Sequence, residues 1–237
     1  MIQVYFPVFV RAFLLFLFII SCYRLDTPPN PQGIPEGAKK DRATGLWEYR
    51  YPDGRYQQFF SDGTLYTKGQ FEGGLKSGLW QAYTRHGILT TEGYYKDDFR
   101  DGQWKFFDDS GRLYLTIFYA KEPRRNDYLL FTRDYGNENG PYERYFQDGT
   151  VEEKGNYVSG YYEGSVIRYY KNGNLFIKGN YKKDKKHGLW VYYYPDGKKE
   201  REETYQDGML DGKVIYFVPD GRIDHQEVYR NGNQVQE

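Results

Sequence analysis

The sequence predicts an all-β protein, an elongated single-layer antiparallel sheet of about seven 24-residue β-hairpin repeats. Three observations point there. Two glycines nine residues apart, followed eight residues later by an aromatic, recur seven times. The first glycine falls at Gly54, Gly78, Gly102, Gly140, Gly164, Gly188 and Gly212, and the second at Gly63, Gly87, Gly111, Gly149, Gly173, Gly197 and Gly221. A unit of this size cannot bury its own apolar face, so neighbours must stack to share a core. Aromatics make up 20% of the chain, with 27 Tyr against 2 Met, a composition suited to pleated, half-exposed strands. Within each unit a turn signal separates two β-prone runs, as at Lys171-Asn172-Gly173.

The chain begins with an address. Residues 1–21 are apolar with Arg11 as their only charge, and Ala12 to Ile20 is uninterrupted apolar sequence, so the segment reads as an export signal. A membrane span would place Arg11 near mid-bilayer at a cost of about 2.5–3.5 kcal/mol. Residues 22–43 are rich in proline (Pro28, Pro29, Pro31, Pro35) and poor in apolar side chains, the composition of a tether. The repeat array occupies 44–237. A half-unit from Gly45 to Gly54 precedes the first full repeat and is expected to cap that edge, and polar Asn231-Gly232-Asn233-Gln234 closes the other.

Each repeat then follows the same plan. The residue before the second glycine is Asp62, His86, Ser110, Asp148, Asn172, Asp196 or Asp220, mostly types that close an Asx turn. Five residues after the first glycine stands one aromatic ladder, Phe59, Tyr83, Phe107, Tyr145, Tyr169, Tyr193 and Phe217. A second, Phe71, Tyr95, Tyr119, Tyr157, Tyr181, Tyr205 and Tyr229, ends the units. Two residues after the first glycine come Tyr56, Trp80, Trp104, Tyr142, Val166, Trp190 and Val214, expected to lie over the strand glycines Gly69, Gly93, Gly155 and Gly179, where a missing side chain makes room for a ring. That glycine is lost at Ile117, Glu203 and Glu227. Fourteen strands at ~4.8 Å make a ribbon roughly 65 Å long.

The interval from Gly102 to Gly140 is 38, so about 14 residues are inserted, at about 120–139. Departures from a repeat rule are where partner sites concentrate, and Arg124, Arg125, Tyr128, Phe131 and Arg133 are the partner-binding candidates there, against a degenerate extra hairpin.

Two resemblances add to this reading. Ile19-Ile20-Ser21-Cys22 resembles the bacterial lipobox, which implies cleavage before Cys22, lipidation of that cysteine and attachment to a membrane of the cell envelope, outer membrane included. Gly78-Leu79-Trp80-Gln81-Ala82-Tyr83 and Gly188-Leu189-Trp190-Val191-Tyr192-Tyr193, with an Asp-Gly turn and a downstream aromatic, look like the MORN-repeat variant family over about Gly45 to Gln234. The likeness implies a non-catalytic ribbon that scaffolds protein partners or, in some members, touches lipid. Many bacterial members carry an antitoxin-like label, which an exported lipoprotein would not serve against a cytoplasmic toxin.

Other classes draw less support. Lys plus Arg (33) equals Asp plus Glu (33), so no global field attracts nucleic acid. A single cysteine excludes a disulfide framework and a multi-cysteine metal site. No cofactor or metal is expected: Asp97, Asp98, Asp101, Asp108 and Asp109 lack calcium-loop spacing, and His86, His187 and His225 occupy unrelated repeat phases. Lys182 to His187 reads as a solvated basic loop. The expected function is an envelope scaffold for an unidentified protein partner, with self-association through sheet edges open to it. The alternatives are a cell-wall or glycan-binding aromatic module of the choline-binding kind, and an antitoxin-like binder.

Overall fold

The computed structural model describes residues 31–120 and 138–236. The lipidation candidate Cys22, the export signal and the candidates Arg124, Arg125, Tyr128, Phe131 and Arg133 lie outside them.

Every described strand belongs to one antiparallel sheet, and none of the described elements is helical. The half-unit forms β2 (Trp47–Arg50), and β1 (Lys39–Lys40), from the segment read as tether, pairs with it. Three hairpins follow: β3 (Arg55–Phe59) with β4 (Leu65–Glu72), β5 (Leu75–Tyr83) with β6 (Leu89–Lys96), and β7 (Phe99–Phe107) with β8 (Leu113–Tyr119). Beyond the insertion come β9 (Glu138–Tyr145) and β10 (Val151–Val158), then β11 (Tyr161–Tyr162), β12 (Gly164–Tyr169) and β13 (Leu175–Lys182). The array closes with β14 (Lys185–Tyr193), β15 (Lys199–Gln206), β16 (Met209–Phe217), β17 (Ile223–Arg230) and β18 (Asn233–Val235). Each strand pairs with its neighbour in sequence, except that β10 pairs with both β11 and β12, which together fill the place of one strand broken at Glu163. The fourteen expected strands are β3–β10 and β12–β17. The four additions are the two strands of the N-terminal cap, the fragment β11 and the C-terminal β18. Tyr119 pairs with Glu138, so the ladder runs unbroken past the insertion.

Both repeat glycines hold backbone that L side chains avoid. The second glycine closes the hairpin turn at φ 76–91° in all seven units, as at Gly63 (90°) and Gly87 (76°). The turn is fastened by an Asx bond, from Thr64 N to Asp62 Oδ1 (2.9 Å) and likewise at Asp148, Asn172, Asp196 and Asp220. Where His86 and Ser110 replace the Asx residue, the residue two earlier supplies the oxygen: Thr84 Oγ1 accepts from His86 N and Ile88 N, and Asp108 Oδ1 from Ser110 N. The first glycine, at φ 66° in Gly78, opens a bulge between repeats, where the register shifts across the strand glycine.

The bulge explains the ring two residues on. Trp80, Trp104 and Trp190 fold over Gly69, Gly93 and Gly179 of the preceding repeat, where an added Cβ would overlap the indole, whereas Gly155 is met by its own hairpin partner Tyr142, whose ring an added Cβ would also overlap. The indole N–H then donates to a carbonyl beside the bulge, Gln70 O (3.2 Å), Tyr94 O (3.1 Å) or Asn180 O (3.1 Å). Tryptophan therefore fits this position for its volume and for its donor. Inter-repeat turns are also coupled 22 residues apart. Asp98 N donates to Lys76 O, Asp184 N to Tyr162 O and Gly208 N to Lys186 O, so adjacent repeats are joined by more than the strand ladder.

Half of the segment read as tether is packed. Ile34 is buried, β1 pairs with β2, and Gln32 and Gly33 lie so close to the first turn that a Cβ on Gly63 would overlap the Gln32 carbonyl oxygen. The composition there is proline-rich, yet Ile34 supplies an anchor and the cap needs a covering strand.

A candidate binding groove on the aromatic face

The rings that make the core lie on one face. Successive ring contacts join Tyr56, Phe71, Trp80, Tyr95, Trp104 and Tyr119 at centroid distances of 5.0–6.3 Å, most of them edge-on. A second run joins Tyr142, Tyr157, Tyr162, Tyr181, Trp190 and Tyr205. The unit-ending ladder thus merges with the Trp row. The other ladder stands on the opposite, polar face. Tyr83 donates its hydroxyl to Gln81 (3.0 Å) and lies beneath Lys68, which pairs with Gln81 across the strands. Lys154 and Lys199 cover Tyr169 and Phe217 in the same way, Tyr145 donates to Glu143, and Tyr193 lends its carbonyl to Tyr170. Phe59 is buried at the N-terminal end, and none of the ring pairs among the described residues includes Phe107.

Each of three Trp–Tyr pairs carries a cation. Lys76 Nζ sits 4.8 Å from the centres of both Trp80 and Tyr95, the Arg100 guanidinium 4.5 Å from Trp104, and Lys186 Nζ 4.5 Å from Trp190 and 4.6 Å from Tyr205. All three stand two residues before a first glycine. The sequence reading missed the pattern, although that fixed phase was the available signal, and Lys186, placed there in a solvated loop, turns inward.

The environment of these cations differs along the ribbon. Glu203, buried, accepts from Arg201 Nε (2.8 Å) and Tyr205 OH (2.9 Å) beside Lys186, which itself bonds Tyr192 OH (2.7 Å). Burial pushes the Glu203 carboxyl up, but hydrogen bonds from Arg201, Tyr192 and Tyr205 outweigh it and hold the group below the usual range. Burial and the bond to Glu203 push the Tyr205 phenol up to about 12, and burial lowers Lys186. Glu153, also buried, accepts from Tyr142 OH (2.7 Å) and from Arg168. Around Lys76 and Arg100 lies instead a groove of about 360 Å³ walled by Trp80, Tyr95 and Trp104, with Gln58, Thr67 and Thr91 as its polar lining and no Asp or Glu among its described residues.

The aspartates have turn duties: Asp98 Oδ1 accepts from Lys76 N (2.7 Å), and Asp108 serves its own turn. No group of three potential metal ligands occurs among the described residues.

The model of the MORN repeat variant family matches residues 100–121, 138–159, 162–183 and 186–207. Residues 100–207 are built of MORN-variant repeats. Each matched block starts two residues before a first glycine, at Arg100, Glu138, Tyr162 and Lys186, so the family period coincides with the structural one. No curated protein matches the chain. Among solved structures, it aligns with the GtfA/B complex bound to UDP and GlcNAc (14% identity, 55% of this chain and 22% of that one, TM-score 0.23). It aligns likewise with a point mutant of S. aureus TarM in complex with fondaparinux, α-GlcNAc-glycerol and UDP (11% identity, 70% and 24%, TM-score 0.26). A third alignment is with the TCP10 domain of Danio rerio CPAP in complex with a peptide of Danio rerio STIL (18% identity, 80% and 97%, TM-score 0.25). The chain spans about a quarter or less of the first two, and at these TM-scores none of the three bears on what the MORN array binds.

Proposed function

We propose that this protein is a non-catalytic scaffold of the cell envelope, lipid-anchored through Cys22, whose MORN-variant ribbon presents a repeating surface to a protein partner. One observation carries the reading: at four repeats the sheet presents an exposed apolar side chain at the same phase. Leu75, Phe99, Tyr161 and Met209 each stand three residues before a first glycine, and all are exposed. An extended partner can engage several such steps at once, which multiplies weak contacts. The glycan alternative draws less support, because Trp80, Trp104 and Trp190 are at most 5% exposed and a sugar has no indole face to stack on.

Anchoring at Cys22 would hold the array close to its membrane. Eight residues (Tyr23 to Asn30) separate Cys22 from Pro31, a length of chain that can span at most about 30 Å. The test is palmitate labelling and detergent-phase partition of wild type against Cys22→Ala, followed by cross-linked pull-down from the membrane fraction. Label and partition that depend on Cys22, together with a protein recovered in stoichiometric amount, support the scaffold. Cys22-independent behaviour overturns the envelope placement and favours an antitoxin-like binder.

A further inference from the structure

We propose that the polar face of the ribbon packs on the same face of a second copy, about a two-fold axis that runs along the strands between β6 and β7. One row of side chains crosses this face without a break from Gln57 in β3 to Gln226 in β17, each residue the direct cross-strand partner of the next. From β4 to β9 the row reads Lys68, Gln81, Glu92, Lys105, Thr116 and Glu143. Turned about that axis, β4 of one copy lies over β9 of the other, β5 over β8 and β6 over β7. Lys68 then meets the second copy's Glu143, Gln81 meets Thr116 and Glu92 meets Lys105, so no like charges oppose.

Three features select a second copy as the occupant. The first is the charge order, which reverses sign about its own midpoint and so complements itself. Lys68 lies over Tyr83 and Glu143 accepts from Tyr145, but neither has an ion pair among the described residues. A two-fold laid along that row instead would set Lys68 on its own copy, a like-charge contact. The second feature is the apolar match. Two residues from the row, Leu79 in β5, Tyr94 in β6 and Phe118 in β8 are exposed on the same face, Tyr94 at 57%. The axis places Leu79 over the second copy's Phe118, with the two Tyr94 side chains flanking the centre. The third feature is extent. Six strands of about eight residues cover about 29 by 27 Å, close to the roughly 800 Å² per copy of a standard interface. Sheets stack face to face at about 10 Å, and an isologous contact of this kind closes as a dimer. The sheet edges, which the sequence offers for self-association, take no part in it.

The test measures the mass of the full chain in mild detergent by sedimentation equilibrium, with the solvent matched to the detergent's density. Wild type should be a dimer. Tyr94→Glu should be monomeric, and Lys68→Glu and Glu143→Lys should each weaken association by about tenfold or more, because each contact occurs twice. The double variant Lys68→Glu/Glu143→Lys should recover most of that loss. Leu189→Glu, an exposed apolar position of the same face in β14 and outside the contact, should leave the dimer unchanged. Circular dichroism of each variant checks the sheet, and Tyr94→Glu decides the matter should a charge variant not fold. A monomer at every concentration, a dimer indifferent to Tyr94→Glu, or charge variants that do not rescue each other would overturn the assignment. Dissociation by Leu189→Glu would overturn the placement of the axis. Capture of a different protein is a separate readout, which bears on the scaffold and not on this contact.

Discussion

The repeats before the insertion and those after it solve the same packing problem with different chemistry. In the first group a ring lies over a strand glycine and a cation covers the ring: Trp80 over Gly69 beneath Lys76, Trp104 over Gly93 beneath Arg100. In the second group the ring position falls twice to valine, at Val166 and Val214, and a buried carboxylate enters the strand at Glu153 and Glu203. Glu203 pairs directly with Val214. At that pair the volume one residue gives up the facing residue takes, an exchange local to it, since Val166 faces Gly179 and Ile117 faces Tyr142. The lesson is also electrostatic. The second group neutralises its cations internally, whereas the first leaves Lys76 on the groove wall.

The largest effect should come from removing a ring where glycine has been reserved for it. Trp104 is 3% exposed, touches Tyr95 and Tyr119 and donates to Tyr94 O. Trp104→Ala leaves a cavity and an unbonded carbonyl and should cost about 3–5 kcal/mol in urea denaturation. Gly93→Ala attacks the same contact from the other side and should cost about 1–3 kcal/mol, because its Cβ overlaps the indole. Near-wild-type stability in both would mean that the ring is not seated as described.

A swap sharpens the comparison. Val214→Trp forces a ring against Glu203 and should lose about 1–3 kcal/mol, while Glu203→Gly alone removes a bonded carboxylate. If volume is what that pair conserves, the double variant should be more stable than the sum of the two by about 1 kcal/mol or more. Strict additivity would break the comparison, since it would mean that the two positions do not share space.

Charge sharpens it further. The folded Glu203 carboxyl lies below its ordinary value near 4.5, so the unfolded chain binds its proton first. Its contribution is fully present above about pH 5 and is lost as pH falls through the folded value. The gap in melting temperature between wild type and Glu203→Gln should therefore be widest near pH 7 and shrink below pH 4.5. A constant gap would locate the effect in packing rather than in the ionised form.

The two glycines, the turn and the period of two were legible because each is a backbone demand answered by few residue types, and the ring over Gly69, Gly93 and Gly179 followed from the size of the neighbours. The faces were harder. Phe59 to Phe217 and Phe71 to Tyr229 look alike as aromatic ladders, yet the bulge at each first glycine sends one to the polar face and draws the other into the Trp row. The bulge is a register shift, which periodicity alone does not report. The docked half of the tether was hidden for another reason. A single Ile34 against the first turn decides it, and one apolar residue among prolines carries little compositional weight. The groove cations were visible as a repeat phase, but their meaning depended on which carboxylates stand near them in space.

The smallest expected effect belongs to those cations. Lys76→Met keeps an apolar stem against Trp80 and Tyr95 and removes only the charge, so the protein should lose about 0.5–1 kcal/mol, the worth of a partly exposed cation–π contact. A loss this small leaves the sheet folded, whereas Lys186→Met removes a donor to Tyr192 OH inside the buried network around Glu203 and should cost more. Parallel denaturation curves for the two variants decide it. Equal losses would mean that the second group's carboxylate does not engage its cation, and that the two halves of the ribbon differ in shape but not in charge.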